Sequence, residues 1–166
     1  MKNVFFASGS LALMLLCAAT ALPPSIAANE VLPLKQSETA CDDSLTHLSR
    51  QITTDGRRIS TSLEAREISG AWNRGRPADR PYQVRAIMSG DAEDISAVLS
   101  SPQMLTGLAH AVIRDCNLVS VVTYAMDRTD NIHDYGLVGE TVKSFECVED
   151  YGRATPAPNW GFQYCS

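Results

Sequence analysis

No Cys-x-x-Cys pair occurs in the chain of 166 residues, although it holds five cysteines. Structural zinc sites usually carry that short ligand spacing, so a four-cysteine metal centre is disfavoured. G-x-S-x-G, S-x-x-K and H-E-x-x-H are missing as well, which removes the local signatures of three large hydrolase classes. Basic excess is also lacking: 14 Lys and Arg stand against 19 Asp and Glu, for a net charge of −5. Nucleic-acid binding by the whole surface is thereby excluded. The charge is uneven, with arginines gathered in residues 50–85 and acids in 91–150. The arginine-rich "WNRGRPADRP" has the composition of an anion-binding loop, but its Gly and Pro content reads more simply as an extended solvated one.

What is present begins with a leader. Lys2, an apolar run from Val4 to Leu22, the helix breakers Pro23 and Pro24, and the small residues of Ser25-Ile26-Ala27 predict a secretory signal peptide over 1–27, cleaved after Ala27 or Ala28. An uncleaved anchor is the competing reading of the same run. Lipidation at Cys17 is disfavoured by Leu16, where a small residue is needed. Export without a stable membrane span in the mature chain is the expectation, to the periplasm or the exterior.

Loss of Cys17 with the leader leaves Cys41, Cys116, Cys147 and Cys165. An even set in an exported chain reads as disulfides, with three pairings possible. Cys41 with Cys116 and Cys147 with Cys165 is the favoured arrangement, because the second pair falls on what read as neighbouring strands. Closing the shorter loop is worth about 3 kcal/mol and the longer about 4–5 in the chain-entropy account.

The mature length suits a single domain over 39–166, preceded by a flexible leader over 28–38 that contains Pro33. Cys41, Leu45, Leu48 and Ile52 share one helical face, with Thr39 as cap. "ISTSLEAREISGAW" is expected to be a short helix, and residues 82–88 a strand or an extended connection. Acidic "DAEDISAVLS" predicts a helix, and Ser101-Pro102 opens another with a broad apolar face from Met104 to Cys116. Val-rich 117–126 then switches to strand period, and strands follow to the end. The expected class is α+β: N-terminal and central helices packed on a small antiparallel sheet formed mainly by the C-terminal third, stapled by disulfides.

Candidate sites are few. "DRTDNIHDYG" places Asp127, Asp130, Asn131, His133 and Asp134 close together, but Thr129, Ile132 and Val138 stand where an EF-hand needs ligands or glycine. A solvated hairpin tip is the simpler reading. His110 falls on a polar helix face, and His47 lies one turn from Asp43, as a surface pair would. Trp160, Phe162 and Tyr164 alternate at strand spacing and, with Tyr151, form the candidate binding surface, although packing in the core is the simpler reading of the alternating three.

The order of "MLTGLAHAVIRDC", "LVSVVTY", "YGLVGETVKSFECVE" and "WGFQYC" over the C-terminal half resembles small exported cyanobacterial proteins of unassigned function. The resemblance implies an exported, disulfide-bearing domain and carries no catalytic residue, metal or cofactor with it. A non-catalytic binding or structural module of unknown partner is the expected function. A small secreted hydrolase using Glu146, Glu149 or Asp150 with a second carboxylate is the alternative, and a surface component without a ligand is a third.

Overall fold

A computed structural model describes residues 31–54, 56–68, 74–148 and 159–164, with side chains described from Glu38 to Gln163. The signal segment, Tyr151, Glu149, Asp150 and Cys165 lie outside the described residues. The elements are α1 (Val31–Thr53), β1 (Ile59–Glu67), β2 (Tyr82–Gly90), α2 (Ala92–Leu99), α3 (Pro102–Asp115), β3 (Val119–Met126), β4 (Ile132–Val138), β5 (Thr141–Ser144), β6 (Glu146–Val148) and β7 (Phe162–Tyr164).

Helix α1 starts at Val31, within the stretch 28–38 expected to be a flexible leader, so Thr39 is an interior residue and not a cap. Pro33 sits in the first turn, where a missing N–H costs nothing. Helix α2 forms where its acidic start suggests, but Asp91 is its cap and not part of its first turn: the Asp91 carboxylate accepts from the amides of Glu93 (3.1 Å) and Asp94 (3.2 Å). No described helix is long and apolar enough to cross a membrane.

The α+β class is as read, but the sheet is mixed and larger than expected. Five strands lie in the order β1-β2-β3-β4-β5, with β2 and β3 parallel and the other neighbours antiparallel. Parallel neighbours need a crossover, and α2 with α3 supplies it. Strands β6 and β7 form a separate two-stranded parallel ribbon. The expected short helix after Ser60 is strand β1, paired with β2 over nine residues without a bulge. Ser, Thr, Glu and Ala tolerate either state locally, and the neighbouring strand decides.

All three helices cover one face. Leu48 and Ile52 of α1, Ile95 and Val98 of α2, and Leu105 and Val112 of α3 pack on Val84, Ala86, Val122 and Tyr124 of the sheet. Tyr124 is fully buried and its hydroxyl donates to the Leu105 carbonyl at 2.9 Å. The Cys41–Cys116 disulfide ties α1 to the end of α3 with a Cα–Cα distance of 4.7 Å. Cys147 is also disulfide-bonded. Arg80 fixes the approach to β2 by donating to the carbonyls of Ile113 (2.6 Å) and Val119 (3.1 Å).

Candidate functional site

The outer face of the sheet, opposite the helices, holds the most unusual chemistry. Strand register sets Glu64, Arg85, Thr123 and Asp134 side by side across β1, β2, β3 and β4. Partners in register share a face, so these polar side chains form one row. Its inner end is closed: Thr123 and Asp134 are each 2% exposed. The Gln83 amide donates to the Thr123 hydroxyl, which donates in turn to the Asp134 carboxylate. The backbone amide of Asp134 donates to the Gln163 side-chain oxygen at 2.9 Å, which holds β7 against β4.

Burial pushes the Asp134 carboxyl up to about 6, against the opposing pull of the Thr123 hydroxyl and the Arg85 guanidinium. A carboxyl in that range has the proton affinity of a general acid or base. Chemistry at the same position is disfavoured by access, because its oxygens are sealed beneath the ribbon. Asp134 was expected in the solvated hairpin tip; it lies inside β4, because the β3–β4 turn closes at Asn131. The tip itself is Asp127–Asn131, where Arg128 adopts φ 57° and the His133 ring pairs with the Asn131 side-chain oxygen at 3.1 Å. Among the described residues no group of three His, Cys, Asp or Glu side chains converges as a metal site would.

Beside the row lies a small second core. Trp160, 8% exposed, packs edge-on to Phe145 with ring centroids 5.0 Å apart, together with Ile68 and Val121. Its indole N–H donates to the Leu137 carbonyl at 2.7 Å. Trp160 therefore belongs to the core and not to an exposed aromatic surface. The expected alternation fails because Trp160 and Gly161 form a turn, with Gly161 at φ 94°, and β7 begins only at Phe162. Phe162 is 38% exposed and stands across from the exposed Glu146 of β6. Tyr164 contributes backbone to β7. The other three members of the expected surface thus divide between the core (Trp160), an exposed position (Phe162) and the ribbon backbone (Tyr164).

A third polar cluster lies between α1 and α3. Arg114 donates from Nε and Nη2 to the two oxygens of Asp115 at 2.7 and 2.9 Å, and the Ser44 hydroxyl donates to the same carboxylate. The Arg114 hydrogen bonds, followed by that of Ser44, hold the Asp115 carboxyl down at about 2. So weak a base does not activate a serine. His47 and Asp43 line the same groove, and the His47 ring is 3.4 Å from the Arg50 guanidinium. His110 is exposed, as its helix face suggested.

In the arginine-rich loop, Arg80 is a structural clamp and the Arg74 carbonyl accepts from the Trp160 amide at 3.0 Å. Arg76 turns its Nε and Nη1 inward, where neither finds a hydrogen-bond partner among the described residues. The Gln83–Thr123–Asp134 chain was missed in the sequence because its members are 11 and 40 residues from Thr123. A polar residue at the centre of the Val-rich run 119–126 was the available signal. No protein-family model, curated protein or solved structure matches the chain.

Proposed function

We propose that the protein is an exported, disulfide-stabilised domain that acts by binding or as a structural component, without catalysis. The observation that carries this reading is the use made of Asp134. The described carboxyl best tuned for proton transfer is sealed at 2% exposure and engaged with Thr123, while its amide anchors the terminal ribbon. Asp115 is likewise occupied, by Arg114 and Ser44. Export is supported by the predicted leader and by the oxidised state of Cys41, Cys116 and Cys147.

The ribbon is the proposed contact surface. Phe162 supplies an exposed ring next to Glu146, and Tyr151 and Tyr164 add aromatic residues to the same C-terminal stretch of sequence. Co-sedimentation of the purified mature protein with envelopes of the producing cells tests it. Phe162→Ser is expected to lower the bound fraction at least about threefold, as loss of an aromatic anchor does, with circular dichroism unchanged. Undiminished retention overturns this surface. Turnover of a chromogenic glycoside that is lost in Glu146→Gln overturns the non-catalytic reading and replaces it with hydrolysis.

A further inference from the structure

Strand β1 closes one side of the five-stranded sheet and has β2 on its inner side alone. Which of its backbone groups face outward follows from two bonds at its ends. The Asp91 amide donates to the Arg58 carbonyl at 3.0 Å, and the Ile68 amide donates to the Pro81 carbonyl at 2.9 Å. Both lie on the uninterrupted β1–β2 register, and antiparallel ladders engage alternate residues. Even-numbered residues of β1 therefore bond to β2. The N–H and C=O groups of Ile59, Thr61, Leu63, Ala65 and Glu67 point to the open edge, where no described strand meets them.

Soluble proteins normally blunt such an edge with proline, charged side chains (lysine above all), a bulge or a very short strand. The opposite edge follows that rule: β5 has four residues and carries Lys143. Strand β1 has nine residues, no proline, no lysine and no bulge. What it carries is a charge pattern that is complementary to itself. Glu64 and Arg66 stand on the outer face, 2.6 Å apart as an exposed ion pair.

We propose that β1 is a self-association site, at which β1 of a second copy pairs antiparallel about a two-fold axis through Ala65 and continues the sheet across both molecules. In that register Ala65 meets its own counterpart and Leu63 meets Glu67 of the second copy, all through outward-facing backbone groups. Glu64 then lies opposite Arg66 of the second copy, and the reverse, at positions without hydrogen bonds between them, where side chains come closest. Four charges of alternating sign form one cluster. Moving the axis to Glu64 sets two glutamates face to face, and moving it to Arg66 sets two arginines face to face. Centring on Leu63 places Ser62 and Ser60 opposite the charges and forms no ion pair. Charge thus selects the register centred on Ala65.

The helix side of this edge leaves room for that register. Leu63 and Leu45 line a groove between β1 and α1 that also carries Arg50 and Asp42. Pairing brings Glu67 of the second copy opposite Leu63, at the mouth of a groove whose lining holds one cation, Arg50, and one acid, Asp42, so charge there neither selects nor opposes the register. The inference rests on the sheet edge and is independent of the proposed binding role of the ribbon.

Sedimentation equilibrium of the full mature chain and of four variants tests the site. The unaltered protein is expected to dimerise, and Glu64→Arg or Arg66→Glu alone to raise the dissociation constant at least about tenfold. The double exchange Glu64→Arg/Arg66→Glu restores opposite charges across the axis and is expected to return it to within about threefold of the original. Ala65→Pro removes an N–H that faces outward, leaves the β1–β2 ladder its bonds, and is expected to abolish the dimer while circular dichroism is preserved. A strict monomer at about 100 μM overturns the proposal. So does a dimer unaffected by the single reversals, or one that the double exchange fails to restore.

Discussion

The hydroxyl of Thr123 donates to the carboxylate of Asp134 directly across the β3–β4 ladder, and both side chains are 2% exposed. The pair lies under the terminal ribbon, whose Gln163 accepts from the Asp134 amide at 2.9 Å. The buried carboxylate accepts from Thr123 of β3, whose hydroxyl accepts in turn from Gln83 of β2, so its burial is offset by a hydrogen-bonded chain across three strands, while the ribbon is held by the backbone amide alone.

Stability should therefore depend on the charge of Asp134. Its folded pKa, about 6, is above its ordinary value of 3.8, so the folded state binds the proton more tightly. Stability is expected to fall as pH rises from about 4 to about 6 and to stay lower above that, by an amount on the order of 2–3 kcal/mol. Asp134→Asn keeps an acceptor for Thr123 and removes the charge. Urea titrations at pH 4 and pH 7.5 should show the wild-type loss largely abolished in the variant. An unchanged pH dependence would remove Asp134 as its source.

The Cys41–Cys116 bridge closes a loop with a sequence separation of 75. In the chain-entropy account that constraint is worth about 4–5 kcal/mol. Replacing both cysteines by alanine should lower the unfolding free energy by several kcal/mol, seen as a fall in the urea midpoint. The effect should match that of reducing this bond in the unaltered protein under the same conditions, with the other disulfide left intact.

Gly136 lies under the Phe145 ring, which occupies the place a side chain would take. Gly136→Ala should force the ring off the β4 backbone and disturb its packing on Trp160, at a cost of about 1–3 kcal/mol. A blue-to-red shift in tryptophan emission accompanying the fall in melting temperature would locate the damage in the small outer core. An unaltered melting temperature would show that the ring moves freely.

Several elements were legible because their signals are local. The acidic start of "DAEDISAVLS", Ser101-Pro102 before the apolar face of α3, and the valines of β3 each specify structure within one or two turns of chain, although Asp91, read as part of the first turn, is the cap of α2. Strand β1 was not legible, since "ISTSLEARE" contains residues at home in a helix and its pairing with β2 is made across a loop. The early start of α1 was hidden by Pro33, which a first turn accepts. Of the aromatic residues, Trp160 takes the core position that was the simpler of its two readings, but it reaches the core from a glycine turn and not from β7, which begins at Phe162.

By itself the sequence determined which segments form the central helices and the Val-rich strand, the α+β class, and the supply of cysteines for crosslinking, because short-range spacing and capping carry that information. Tertiary structure alone decided that β2 and β3 run parallel, that Asp134 is buried against Thr123, and that β1 is an edge strand among the described residues, while it bore out the favoured pairing of Cys41 with Cys116. Each of those depends on residues far apart in the chain being brought into register, and their energies appear only once the sheet has assembled.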